Sequence, residues 1–347
     1  MKKILSLLLV LMLVSTMILG CTPAEEPAEE PAEEPVEEPV EEPAEEPEAA
    51  PLKVGLILSG PINDSGWNSV AYEGLMKAEE QLGIEANYLE SVAQSENEEA
   101  FRSYANQGFD IIIGHGYQFN DAALAVGPDF PDIKFVVTSS NISQAPNVAG
   151  LEVSNTEAGF VGGIIAGAFT SSKEVGYIGG VDMPPITDAD KGFKKAVEMI
   201  DPEISVSSTL IGSWDDIVKA KAVAGEMISN GADVVLGNAN QAGLGVIEAA
   251  QEAGVYAVGF SNDQSDSAPE TVIASSKYDM SVAIIFVIEQ VLNDAFEAKS
   301  YILATREGAT GVIWNEALKS ELDPEKVALV EEMEQKLISK EIDTAQF

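Results

Sequence analysis

Residues 53–295 alternate short apolar runs with longer segments of helical period, and this alternation begins twice. A strand buried on both faces reads as a continuous apolar run, whereas a helix on a core shows a period of 3.6. The first series predicts strand 53–58, helix 67–82, strand 86–89, helix 96–106, strand 111–113, helix 121–126 and strands 134–138 and 148–151. The second predicts helix 156–169, strand 175–178, helix 190–199, strand 205–210, helix 217–229, strand 234–236, helix 244–253, strands 256–258 and 272–275, and helix 281–295. Strands that alternate with helices imply parallel sheets covered on both faces, a doubly wound α/β architecture. Two such series in one chain predict two lobes with a cleft between them. In helix 156–169, Gly159, Gly163 and Gly167 leave one face bare, which predicts close packing against a sheet.

The amino-terminal 51 residues cannot belong to that core. Lys2 and Lys3 precede an apolar run over residues 4–19, the pattern of a secretory signal over 1–20. Ile18-Leu19-Gly20-Cys21 looks like a bacterial lipobox, which implies cleavage before Cys21 and lipidation of its thiol; an uncleaved anchor helix is the alternative. Cys21 is the only cysteine, so disulfide and thiolate chemistry are absent from the remainder. Residues 21–51 are then a tether. Residues 22–50 hold 13 Glu and no Lys or Arg, in repeats of x-Glu-Glu-Pro. Fixed proline φ and mutual glutamate repulsion keep such a segment extended, and at ~3.1 Å per residue it reaches about 90 Å.

The whole chain carries a formal charge of −39; with that acidic stretch and the two amino-terminal lysines set aside, residues 51–347 carry −28. Such a surface argues against nucleic acid and against adsorption to anionic lipid, so membrane contact is expected through the lipid anchor only. No other run of about 18 apolar residues exists to span a bilayer.

Polar and aromatic residues recur just beyond the strand ends, the edge of an open α/β sheet where ligands bind. Asn63-Asp64-Ser65-Gly66-Trp67-Asn68 follows the first strand; it offers amides, a carboxylate, a hydroxyl and an indole, although Asp64 or Ser65 also suits a helix N-cap. His115 and Tyr117 follow the third strand, and Ser139, Ser140 and Asn141 the fourth. In the second series, Gly179-Gly180-Val181-Asp182-Met183-Pro184, Gly212-Ser213-Trp214, Asn238 and Ser261-Asn262-Asp263 stand in equivalent places. Aromatic residues at such spacing serve cores more often than ligands. Trp67 and Trp214, one in each half, nevertheless suggest a planar ligand held between lobes, with stacking worth about 1–3 kcal/mol per base.

Catalytic constellations are missing. His115, the single histidine, has no histidine or cysteine partner for a metal, and there is no G-x-S-x-G elbow or Walker loop, so neither a metal nor another cofactor is implied. Asp215-Asp216 opens a helix, where carboxylates favour the dipole and cap. Gly243-Leu244-Gly245 is only a fragment of a dinucleotide fingerprint.

Taken in order, Asp64-Ser65-Gly66-Trp67-Asn68, Gly114-His115-Gly116-Tyr117, the run from Val175 to Pro184, Gly192-Phe193, Gly212-Ser213-Trp214-Asp215, Gly231-Ala232-Asp233-Val234, Tyr256-Ala257-Val258-Gly259 and Ser276-Lys277 resemble the basic membrane protein family of ABC-transporter substrate-binding lipoproteins, which includes purine nucleoside receptors. The resemblance covers the whole folded region. It implies a type I periplasmic-binding-protein fold: two Rossmann-like lobes, 52–153 plus 276–305 and 154–275 plus 306–347, joined by three hinge crossings. It also implies hydrogen bonds to ligand from Asp64 and Asn68, base stacking by Trp214, and a ligand contact from Lys277 near the hinge. Trp67, Tyr117, Asn63, Met183 and Asn238 join that set from loop position. Where the family often carries Asp after the fourth strand and after the Tyr256 strand, this chain has Ser139 and Ser261. A charge-assisted bond to ribose is lost there, ~1.5–3 kcal/mol against ~0.5–1.5 for a neutral one, and Asp263 or Asn262 is the candidate replacement.

The expectation is a monomeric, non-enzymatic solute receptor, lipid-anchored on the extracytoplasmic face, that passes a nucleoside-like small molecule to an ABC permease. A lipoprotein that presents ligand to a chemoreceptor or histidine kinase is the alternative. A nucleoside hydrolase using Asp64 is a third reading.

Overall fold

The structure is a computed structural model that describes residues 50–63 and 67–347. The expected signal segment, the lipidated Cys21, nearly all of the tether, and Asp64 with its two neighbours lie outside the described residues. Residues 50–347 form one compact unit.

The chain begins with β1 (Lys53–Leu58), α1 (Trp67–Leu82), β2 (Glu85–Leu89), α2 (Asn97–Asn106), β3 (Ile111–His115), α3 (Asn120–Val126), β4 (Lys134–Thr138), the two-residue β5 (Ser143–Gln144) and β6 (Val148–Val153). It continues through α4 (Asn155–Phe169), β7 (Glu174–Gly179), α5 (Pro184–Ile200), β8 (Ser205–Leu210), α6 (Ile217–Ser229), β9 (Val234–Asn238), α7 (Gly243–Ala253), β10 (Tyr256–Ser261) and β11 (Val272–Tyr278). After α8 (Met280–Leu292) and β12 (Ser300–Leu303) it ends in β13 (Thr310–Trp314), α9 (Glu316–Lys319) and α10 (Pro324–Ile338).

The strands form two sheets, ordered β12-β6-β4-β3-β1-β2 with β5 on β6, and β13-β11-β10-β9-β7-β8. All pairings are parallel except β5 with β6 and β11 with β13. The chain therefore passes between sheets three times, at Ser154, at Asp279, and between Leu303 and Thr310. The fold is the doubly wound, two-lobed α/β architecture of type I periplasmic binding proteins. In both sheets the chain leaves its first strand in one direction and returns on the other side. The topological switch points fall between β1 and β3 and between β7 and β9.

Each sheet is covered on both faces. On the first, Leu56, Leu75, Ile113, Ile284 and Val287 join β1 and β3 to α1 and α8, while Ile57, Phe101, Ile112, Phe119 and Phe135 fill the side under α2 and α3. On the second, Phe160, Ile164, Tyr177, Phe193 and Leu236 pack under α4, α5 and α10, and Ile178, Ala224, Val235 and Val246 under α6 and α7.

The glycine face of α4 meets a helix, not the expected sheet. A Cβ on Gly159 would lie 1.9 Å from the Ala189 carbonyl oxygen, and one on Gly163 2.4 Å from the Phe193 oxygen. In return, a Cβ on Gly192 of α5 would sit 1.9 Å from the Thr156 oxygen. α4 lies between sheet and helix, so it is apolar all round: its sheet side carries Gly162 against Leu236. Gly245 has a similar use, since a Cβ there would meet the Ile217 oxygen of α6 at 2.2 Å.

Candidate ligand-binding site

Helices start at the carboxyl edges of both sheets, and side-chain caps fix where the loops end. Ser154 caps α4 by accepting from Glu157 N–H (3.2 Å), and Asp216 caps α6 by accepting from Lys219 N–H (2.9 Å), as its place at a helix start implied. Asp215 accepts from the Ser213 hydroxyl (2.7 Å), which closes the loop beside Trp214.

On the first sheet, Trp67 opens α1 just beyond β1. Its half-buried indole stacks on the His115 imidazole at the end of β3, centroids 4.2 Å apart and planes 24° from parallel. Leu58 and His115 are register partners, so the pair spans the switch point of this sheet. Asn68 is buried, and its Oδ1 accepts from Gly60 N–H (3.3 Å). Asn63 is exposed, and Tyr117 is 61% exposed at the start of a short 3-10 turn after β3. Ser139, the first residue after β4, lies in the left-handed backbone region, φ 48°.

On the second sheet, Trp214 follows β8 and lies against Gly180, where a Cβ would come 2.4 Å from its six-membered ring. Glycine is required there because the indole rests directly on the backbone beyond β7. Met183 is the N-cap of α5 and packs partly on the second core. Asn238 occupies on β9 the place His115 has on β3, but it is turned inward: its Nδ2 donates to the Tyr177 hydroxyl (3.0 Å), which donates to the Ile186 carbonyl (3.0 Å). Ser261 ends β10 with φ 76°, a left-handed backbone like that of Ser139, and the exposed Asp263 accepts from Ser265 N–H (2.9 Å). Lys277, near the second passage, donates to the Gly308 carbonyl (2.8 Å) and stands 3.4 Å from Asp279.

The structure thus gathers Trp67, Asn68, Tyr117 and Ser139 at one carboxyl edge and Met183, Trp214 and Ser261 at the other, while Asn238 is engaged within its lobe. The two edges meet near the passages. Tyr278 packs against the cores of both lobes. Burial pushes its phenol up, against hydrogen bonds from Ser139 at the end of β4 and Asn155 at the start of α4. Burial also raises Glu152 on β6; Asn155 opposes this, and the negative charge of Asp188 on α5 adds to it. Asp188 stands in the second turn of α5, so the charge felt by Glu152 on β6 comes from the other lobe. A concavity of about 360 Å³ lined by Gln251, Gly254, Tyr256 and Glu270 lies at the opposite, amino edge of the second sheet.

His115 and Gly180 stood among the strand-edge residues of the sequence, but their roles beneath the two indoles did not show there, and Tyr278 lay past the expected end of its strand. The signal for His115 was its register beside β1, which is visible only once strand order is known.

The family described as ABC transporter substrate-binding protein PnrA-like matches residues 52–346. The chain belongs to this family. Among its relatives, basic membrane protein A of Borreliella burgdorferi is 30% identical over 84% of this chain and 86% of its own length. The transcriptional activator protein med of Bacillus subtilis is 30% identical over 69% of this chain and 74% of its own. The ABC transporter nucleoside-binding protein BmpA of Lactococcus lactis is 29% identical over 58% and 61%. A crystal structure of an ABC transporter solute-binding protein from Aeropyrum pernix superposes with a TM-score of 0.67 at 23% identity, covering 84% of this chain and 93% of that one, and shares the fold. This PnrA-like family is one of substrate-binding proteins for ABC transporters.

Proposed function

We propose that this PnrA-like protein is a lipid-anchored extracytoplasmic receptor that binds a purine nucleoside or a related planar solute between its lobes and delivers it to an ABC permease. The carrying observation is the pair of half-buried indoles, Trp67 on His115 and Trp214 on Gly180, each backed by its own sheet at the carboxyl edge. A rigid backing on one face leaves an indole pre-organised to receive a flat ring on the other. The name of the Lactococcus relative supports a nucleoside. Asp64 and Asn68 supply polar contacts on the first lobe, with Asn63 and Tyr117 at the rim and Met183, Ser261, Asp263 and Lys277 opposite. Ligand contact with both lobes favours the closed state and pivots it at the three passages. Cys21 carries the lipid and the acidic tether gives reach. No bond is broken in this cycle, and the unit acts as a monomer.

The test is mass spectrometry of the small molecule that co-purifies with residues 51–347. A planar nucleoside or base is the expected result; a non-aromatic solute overturns the stacking assignment.

One other reading is a lipoprotein that presents ligand to a chemoreceptor or histidine kinase; the name of the Bacillus relative, a transcriptional activator, points only as far as a regulatory role. The −28 charge of residues 51–347 speaks against direct DNA contact in that role. Deletion of the gene separates the two: an importer loses uptake of the co-purified solute, whereas a sensor loses only the response to it.

A further inference from the structure

The single histidine lies directly beneath the Trp67 indole. His115 is fully buried at the carboxyl end of β3. Its Nε2 lies 3.0 Å from the Trp67 carbonyl oxygen, and its Nδ1 lies 2.8 Å from Thr138 Oγ1. A carbonyl only accepts, so Nε2 must carry a proton. Thr138 Oγ1 already accepts from Gly116 N–H (2.9 Å), which leaves its own hydrogen for Nδ1. The donors therefore run one way, from Gly116 to Thr138 to His115 to Trp67, across β4, β3 and the start of α1. The same imidazole also floors the indole. Main chain and side chain of Trp67 are thus both held by one ring on a different strand. A stack alone would let the indole slide, and a carbonyl bond alone would let χ1 turn; the two together fix position and plane. The equivalent position on the second sheet, Asn238, has no such role, because there Gly180 backs the tryptophan.

We propose that His115, oriented by Thr138, is the positioning residue that sets the Trp67 indole as the ligand platform of the first lobe. This rests on the stacking role given to Trp67 above, and the experiment separates the two. The full chain is labelled with 5-fluorotryptophan. It holds three tryptophans, and Trp67→Phe assigns one of the three fluorine resonances. His115→Gln keeps a donor toward the Trp67 carbonyl and removes the ring, while Thr138→Val keeps the side-chain volume and removes the orienting hydroxyl. In each, the Trp67 resonance moves by more than its linewidth or splits, while those of Trp214 and Trp314 stay; Thr138→Ser returns it to the original position. An unmoved Trp67 resonance in both variants overturns the proposal, and so does equal movement of all three, which marks general loosening. Guanosine titration is the second arm. Thr138→Val weakens binding at least fivefold in the parent chain and less than twofold in a Trp67→Ala background. Equal weakening in both backgrounds overturns action through Trp67. Guanosine that fails to bind the parent chain removes the nucleoside reading and leaves the resonances to decide on His115.

Discussion

Ser139, just beyond β4, and Ser261, the last residue of β10, stand at equivalent edges of the two lobes, and both adopt left-handed backbone. That region costs an L-residue about 1–2 kcal/mol, and such strain gathers at functional edges. Ser261→Gly removes the clash at a smaller cost in chain entropy, about 0.5–1 kcal/mol, so a net gain of about 0.5 kcal/mol is expected in chemical denaturation. The same substitution should weaken ligand binding if the hydroxyl reaches the ligand, which titration reads directly. Trp214 stands differently: half-buried and resting on Gly180, it is positioned by backbone shape. With stacking worth ~1–3 kcal/mol and ~1.4 kcal/mol per tenfold, Trp214→Ala should weaken purine binding about tenfold or more in calorimetric titration. The residue types at these edges were readable from the sequence. Their orientation was not: Asn238 carries the same amide as Asn68, yet faces Tyr177 inside its lobe because the buried phenol needs a partner.

At the scale of elements, α4 and α5 form the tightest helix pair of the second lobe, through glycines that face carbonyl oxygens across the interface. Gly159→Ala forces a methyl to 1.9 Å from the Ala189 oxygen. Only a shift of one helix relieves this, so destabilisation at or above the top of the ~1–3 kcal/mol range for overpacking is expected in thermal or urea unfolding. The four-residue glycine spacing announced a close approach, but not to what. A period identifies a face; it carries no information about whether a sheet or another helix lies opposite. The same limit explains the ends of elements. α5 starts at Pro184, six residues before the expected residue 190, because Pro at the first helical positions costs nothing there yet reads as a breaker. β11 continues to Tyr278 because β13 pairs with it through Thr310, a partner 32 residues away in sequence.

For the whole molecule, the passages between lobes are tied by Glu157. Buried in the first turn of α4, it accepts from Thr305 N–H (2.7 Å) at the third passage and from the Thr344 hydroxyl (3.0 Å) in the carboxyl-terminal turn. Glu157→Ala strands these donors, and a loss of about 1–3 kcal/mol is expected in denaturant unfolding, less for Gln, which still accepts. Acid stability is set partly elsewhere. Burial raises Asp233, but bonds from Thr170, Ser171 and Ser172 outweigh it and hold its carboxyl below the usual range. A carboxylate lowered on folding contributes stability above its unfolded value, and this is lost as pH falls through the folded one. Asp233→Asn should therefore lower the melting temperature at neutral pH and flatten the decline in acid, as a melting series from pH 7 down to pH 2 would record. Among the described residues no helix is long and apolar enough to cross a membrane.

By itself the sequence determined the alternation of strand and helix, its restart, and hence two doubly wound sheets with ligand-capable loops at their carboxyl edges. These follow from local periodicity, which each segment carries within itself. Only the tertiary structure decided which loops share a switch point, that the α4 glycines face α5, and that one imidazole on β3 holds the tryptophan that opens α1. Those contacts join residues 30 to 59 positions apart, and their energies depend on strand order and on passages between lobes that no local pattern encodes.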